Sequence, residues 1–347
     1  MLRLIGAWAV LVCVACDVYA FGEKGHRLVG AIADKLLESK PEGVKVKALL
    51  QGISLSDAAM IADDIKRWDL TATTSYPWTS NATLQGAMKA FVEDTPDHSV
   101  FHYTNISVIG DGAYAVTKRG ARADDIVQMI NHCIRVIQTG QPVAGRPTIT
   151  PTVATILLAH YVGDLHQPLH VGAAYFDPSA TLVDADTVTN CKVDLGGNLV
   201  QLLLQGGPTD GMNLHFHWDI TAVDDAIAVI KQATHGTGST LTPGEIDSHF
   251  VVVQPVGWPL DAGVAIDGLS TAWANEMMPL ALEARLRLTF ENIPNPPRVV
   301  DYNKYDWTAK QAGTPAVSYT PWSGTVVDTT MHRAGWRLAA LLEQLLK

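Results

Sequence analysis

The stretch His160-Tyr161-Val162-Gly163-Asp164-Leu165-His166-Gln167-Pro168-Leu169-His170 carries three of the chain's twelve histidines. It closes an apolar run that begins at Pro151, where apolar side chains recur at three- and four-residue intervals, so the spacing predicts a helix over 151–163. Positions four apart on a helix differ by about 40° around its axis, so His160 and Asp164 project together, whereas His166 lies roughly 160° from Asp164. His166 therefore reads as a structural histidine. Pro168 should end or bend the helix, which lets His170 return toward the pocket that His160 and Asp164 face.

The same test applies further along, in Asn213-Leu214-His215-Phe216-His217-Trp218-Asp219. His215 and Asp219 are again four apart, and His217 faces the other way. An imidazole and a carboxylate on one helical face make two ligands for a divalent ion, and zinc accepts both nitrogen and oxygen at nearly equal distance. One such pair is also an ordinary hydrogen bond that orders a helix surface. Two pairs, with a further histidine just after the first, point to a metal site. His26, Asp63 and His102 gain meaning only beside those pairs. Alone, Asp63 next to Asp64 also reads as a solvated helix face, and His102 as a strand histidine hydrogen-bonded at a sheet edge.

Helical periodicity extends over 26–37, 57–68, 124–139, 222–233, 270–288 and 326–346. Extended segments are expected at 101–107 and 199–205, and loops around 140–147, 206–211 and 292–297. Segments 71–97, 176–198 and 303–323 read as long insertions. The expected architecture is mainly α, one helical domain over 21–347, without internal repeats.

Composition narrows the function classes. A chain of 347 residues with 47% hydrophobic and 17% charged residues is not disordered. Its net charge of −10 counts against duplex binding by phosphate neutralisation, so a nucleic-acid partner would need positive charge from elsewhere, such as bound metal. Arg3, the apolar run Leu4–Cys16 and Val18-Tyr19-Ala20 have the form of a secretory signal over 1–20, with the mature chain starting at Phe21. A secreted or periplasmic location is expected. Cleavage would leave Cys133 and Cys191, whose disulfide an oxidising environment would permit and whose meeting the sequence leaves open. Asn81 and Asn105 begin glycosylation sequons. Beyond the leader no apolar run is long enough to span a bilayer, so neither a membrane anchor nor an obligate protein partner is expected.

With Phe21-Gly22-Glu23-Lys24-Gly25-His26, Ile61-Ala62-Asp63, His102-Tyr103, the His160–His170 block, Asn213–Asp219, Trp273-Ala274-Asn275-Glu276 and Ala334-Gly335-Trp336-Arg337-Leu338-Ala339 in this order, the chain resembles the S1/P1 nuclease family. The resemblance implies the α-helical fold shared with zinc phospholipase C, and three zinc ions. One would be held by Asp63, His102, His160 and Asp164, a second by His170, His215 and Asp219, and a third by the Phe21 backbone amine and carbonyl, His26 and a bridging Asp164. It further implies a zinc-dependent endonuclease that hydrolyses single-stranded RNA and DNA to 5′-phosphorylated products, with 3′-nucleotides as further substrates, through attack of a metal-bridging hydroxide on phosphorus. By the same resemblance Lys66 steadies a phosphate oxygen, Tyr103 stacks on the base of the scissile nucleotide, and Asn105 stands where a base-contacting Asp is common.

Departures from the family pattern are Phe21 and Ile61 at positions usually held by Trp, and a long interval between Asp63 and His102. The rival readings are a zinc phospholipase C-type phosphodiesterase and a non-catalytic secreted zinc-binding module. Asp219 speaks against the former, whose second pair usually ends in Glu.

Overall fold

The computed structural model describes residues 21–70, 76–179, 181–204, 207–288, 299–301 and 319–347. The expected leader, the loop at 292–297 and most of segment 303–323 lie outside the described residues.

From the first described residue, α1 (Gly22–Leu37) buries Leu28, Val29, Ile32 and Ala33, and α2 (Pro41–Leu49) follows after a short turn. The Ser54 hydroxyl accepts the Asp57 N–H and starts α3 (Leu55–Asp64), which tightens into a 3-10 turn over Ile65–Arg67. Asn81 caps α4 (Ala82–Asp94) in the same way, and a further 3-10 turn, His98–His102, leads into β1 (Ile106–Ser107). After α5 (Ile126–Thr139) comes α6 (Pro151–Leu165), with Thr150 as cap and Pro151 in its first turn. The short strands β2 (Gly172–Ala173), β3 (Tyr175–Phe176), β4 (Lys192–Val193), β5 (Gln201–Leu204) and β6 (Gly207–Asn213) precede α7 (Leu214–Phe216). α7 runs through a π turn, His217–Thr221, into α8 (Ala222–Ala233). α9 (Pro243–Ile246), α10 (Leu269–Leu286), β7 (Val299–Asp301) and α11 (Tyr319–Leu345) complete the chain order.

α6 is buried on every side from Val153 to Leu165, as befits a helix with no polar face, and α1, α3, α5 and α11 pack against it. Each apolar side chain fully buried there contributes about 1.5–3 kcal/mol of transfer free energy. The same burial makes His160 and Asp164 costly unless each finds a partner, which ties the fold directly to the site. The mainly helical architecture agrees with the expectation from periodicity.

Several local expectations are corrected. Segment 71–97 contains α4, whose Leu84, Met88 and Phe91 form a buried stripe at helical spacing. α2 buries only Val46 and so left almost no periodic signal. The loop expected at 206–211 is occupied from Gly207 onward by β6, which pairs antiparallel with β5 from Leu204↔Gly207 to Gln201↔Asn213. Its Gly and Pro content hid a strand that pairs at Gly207, Pro208 and Asn213, with a register shift between. Within 101–107 only Ile106–Ser107 is a strand, because Phe101 and His102 complete the 3-10 turn. Cys133 and Cys191 do not meet: both are free, the first buried in α5 and the second half-buried beside the Arg119 guanidinium.

Candidate metal centre

The site is built where α6 meets three other segments. β1 and β2 pair in parallel, and the ladder continues outward through Thr104 N–H to His170 O (2.8 Å) and Ile106 N–H to Val171 O (3.1 Å). That ladder brings His102, at the end of its 3-10 turn, beside the turn Pro168–His170 that follows α6. α6 ends at Leu165 and Pro168 starts the turn, so His170 does swing back toward the face of His160 and Asp164. α7 brings His215, and the π turn after it Asp219, to this centre, while His217 bonds Ser323 Oγ (2.9 Å) and Trp218 bonds Tyr319 Oη (3.0 Å) on the opposite side.

Two neighbouring clusters result. In the first, Asp164 Oδ2 lies 2.8 Å from His102 Nδ1 and 3.2 Å from His160 Nε2, and Asp164 Oδ1 lies 3.1 Å from His26 Nε2. Asp63 joins through Oδ1, 3.6 Å from His160 Nε2 and 3.9 Å from His102 Nδ1. The His26 ring stacks on His160 at 3.7 Å, 13° from parallel. In the second, His170 Nε2 and His215 Nε2 are 3.0 Å apart, and Asp219 lies 3.3 Å from His215 Nε2 and 4.0 Å from His170 Nε2. All of these side chains are buried.

The donor chemistry fits bound cations. His170 Nδ1 donates to His102 O (2.7 Å) and His215 Nδ1 to Gly196 O (2.8 Å), so in the neutral rings both Nε2 atoms carry lone pairs, and they face each other. Two lone pairs at that distance repel unless a cation lies between them. His160 is oriented likewise, its Nδ1 bonded to Ala59 O (2.6 Å). Buried atoms without a hydrogen-bond partner include both ring nitrogens of His26, both carboxylate oxygens of Asp63, His102 Nε2 and Asp164 Oδ1. The spacing between ligand atoms brackets the edge of about 3.3 Å expected for a tetrahedron with zinc–ligand bonds of ~2.0 Å.

Charge is distributed unevenly. Burial pushes Asp164 up, but the His160 charge and hydrogen bonds from His102, His160 and His26 outweigh it and hold the carboxyl well below the usual range. Asp63 is held down against burial by Lys66, His160 and His102. At Asp219 burial wins: it raises the carboxyl well above the ordinary carboxylate range, opposed mainly by the hydrogen bond from Gln167 Nε2 at 2.8 Å.

A model of S1/P1 nucleases matches residues 21–347, the whole span expected to remain after leader removal. The chain belongs to the S1/P1 nuclease family. Among its curated relatives from Arabidopsis thaliana, Endonuclease 1 is 27% identical over 222 residues, covering 62% of this chain and 59% of the relative. Endonuclease 2 is 23% identical over 231 residues, covering 66% and 64%, and Endonuclease 5 is 25% identical over 237 residues, covering 63% of each. The chain thus spans about three fifths of the length of the curated relatives it matches.

The remaining expected residues of this family member surround the clusters. Phe21 is fully buried at the start of α1, in left-handed backbone at φ 49°, and its carbonyl accepts the Gly25 N–H (3.0 Å). Lys66 forms an ion pair with Asp63 and keeps 19% of its side chain exposed. Tyr103 is half-buried next to His102, and Asn105 is pinned through its backbone by Gly120 O and the Tyr175 hydroxyl. His166 stands apart from both clusters: its Nδ1 bonds Val162 O (2.7 Å) and its Nε2 faces Arg337 Nη1 (2.9 Å). Arg337 also holds Glu276 and Asp261 and lies over the Trp273 ring, which explains why the Trp273 and Arg337 blocks accompany the ligand motifs.

Sequence reasoning did not find Gln167, whose amide donates to Asp219 while its oxygen accepts the Leu169 N–H (2.5 Å). Its place between two histidines in the central block was the signal. The carbonyls of Ala59, His102 and Gly196 carry no side-chain signal at all.

Proposed function

We propose that this chain is a zinc-dependent phosphodiester hydrolase that cleaves single-stranded RNA and DNA to 5′-phosphorylated products, with 3′-nucleotidase activity, and that it acts outside the cytoplasm once residues 1–20 are removed. The observation that carries the reading is the convergence of seven buried histidine and aspartate side chains on two small clusters, in which both Asp63 oxygens, His102 Nε2 and Asp164 Oδ1 have no hydrogen-bond partner. His26 and the Phe21 backbone extend that set toward a third ion. The endonuclease names of the relatives agree with it.

Zinc bound there would supply Lewis-acid charge toward phosphate oxygens and lower the pKa of water. The protein's own residues do the rest. Asp164 spreads its two oxygens between His26 on one side and His102 and His160 on the other, which suits it to bridge two ions. Lys66, paired with the buried Asp63 and itself partly exposed, is the group that would turn to a phosphate oxygen. Tyr103, half-buried beside ligand His102, offers its ring to an unpaired base, an interaction open to every base because each has a π face. Duplex bases are already stacked on each other, so the selectivity for single strands follows. Supply of positive charge by the ions reconciles a polyanionic substrate with a chain of net charge −10. The Phe21 nitrogen becomes an amine ligand only after cleavage behind Ala20.

The deciding experiment incubates the processed, zinc-loaded protein with single-stranded RNA and DNA beside a chelated control. Chelator-sensitive release of 5′-phosphorylated products is the expected result. Full zinc occupancy without hydrolysis would move the assignment to a lipid phosphodiester substrate or to a non-catalytic zinc-binding protein.

A further inference from the structure

A buried ion pair lies outside both clusters and no ligand motif includes it. Arg285, on α10, donates from Nε to Asp194 Oδ2 (2.9 Å) and from Nη2 to Asp194 Oδ1 (3.2 Å), and both side chains are fully shielded from solvent. Removing two charges from water is expensive, and a buried pair often contributes no more stability than an apolar pair of the same size would. What this pair holds is therefore informative.

Asp194 is the anchor of a tight turn. Its Oδ1 also accepts the Ala174 N–H (2.9 Å), its own N–H donates to Ala174 O (2.8 Å), and its carbonyl accepts the N–H groups of Gly197 and Leu199 (3.1 Å each). Between these fixed points Leu195, Gly196 and Gly197 all adopt positive φ, at 52°, 62° and 88°. Leu195 is not a residue that favours left-handed backbone, and its side chain is 43% exposed, so packing does not hold it there. The product of the turn is the position of one atom. The Gly196 carbonyl accepts the His215 Nδ1–H, and a Cβ on Gly196 would come within 2.4 Å of Leu169 O and 3.3 Å of His215 Nδ1.

We propose that Arg285 and Asp194 form a positioning pair that fixes the Gly196 carbonyl and through it the tautomer and ring orientation of His215 in the second cluster. The inference rests on the zinc-site reading above. The pair touches neither ion nor substrate; it acts only through the turn. His160 and His170 receive the same kind of orientation from Ala59 and His102 carbonyls, which lie in other elements.

The test compares the wild-type chain with Asp194→Asn, Arg285→Lys and Gly196→Ala by zinc titration against a chelator and by hydrogen exchange of the imidazole Nδ1–H signals. Arg285→Lys keeps the positive charge and reads the pair even if Asp194→Asn fails to fold, while Gly196→Ala, whose Cβ would meet Leu169 O at 2.4 Å, reads displacement of the carbonyl itself. The expected result is a 10–100-fold weaker hold on one ion with the others unchanged, and faster exchange at His215 but not at His160 or His170. Unchanged affinity and exchange, or equal weakening of every ion, would overturn the positioning role. Absence of zinc uptake by the wild type itself would instead overturn the zinc-site reading, and the inference with it.

Discussion

The carbonyl oxygen of His102 accepts a hydrogen bond from His170 Nδ1 at 2.7 Å, so one residue serves both clusters: its side chain faces Asp164 in the first, and its backbone orients a histidine of the second. The parallel ladder from Thr104 to Val108 fixes that backbone independently of the His102 ring.

Removal of the ring should therefore separate the two roles. His102→Ala is expected to lose metal from the first cluster and at least about 100-fold in hydrolysis rate while the ion at His170, His215 and Asp219 is retained. Zinc content per chain after exhaustive dialysis, measured beside the rate, checks this.

Asp164→Asn and His166→Ala make a matched contrast. The first removes half the charge that faces His26, His102 and His160 and should cost both metal and rate. The second leaves Arg337 short of a buried partner and should lower the melting temperature by several degrees with metal content unchanged. Equal metal loss in both would refute the assignment of faces on α6.

Tyr103→Ala should weaken single-stranded substrates by about 1–3 kcal/mol, read as a roughly 5–150-fold fall in kcat/KM with zinc content intact. An unchanged value would exclude this ring as the base platform.

Far from the centre, Glu245 completes a capping box with Thr242 and pairs with Lys231 Nζ at 2.6 Å. The hydrogen bond from Lys231 and those from the Thr242 N–H and hydroxyl hold its carboxyl down at about 2. Because the folded value lies below the ordinary value of 4.5, the unfolded chain takes up the proton first, and the stabilisation present above pH 4.5 is lost as pH falls toward 2. Glu245→Gln should accordingly destabilise the protein at pH 6 and much less at pH 2.5, as urea unfolding midpoints at the two pH values would reveal.

Legibility in the sequence followed burial pattern. α5, α6 and α8 announced themselves because their apolar residues recur at helical spacing, and His160 with Asp164 and His215 with Asp219 were readable because a helix turns spacing into direction. The π turn at His217–Thr221 did not disturb the second pair, since its other residues are drawn to α11. α2 and α4 were missed, the first for want of a buried stripe and the second because it sits among turn-forming residues. Asp194, Arg285 and Gln167 were invisible because their partners lie far away in the chain or are backbone atoms, which only the folded chain reveals.

The ligands run from His26 in α1 to Asp219 after α7, with α3, the turn before β1, α6 and the turn after it contributing between them. No early fragment of the folding chain contains a complete set. Metal capture at these residues would therefore be a late event that reports on the finished fold, and bound ions would act as a latch on global unfolding rather than as a nucleus for folding. By mass action, ligand at 1,000 times its dissociation constant adds about 4 kcal/mol per site to the folded state. A chelator should consequently speed loss of the entire helical assembly, far beyond the few side chains it strips.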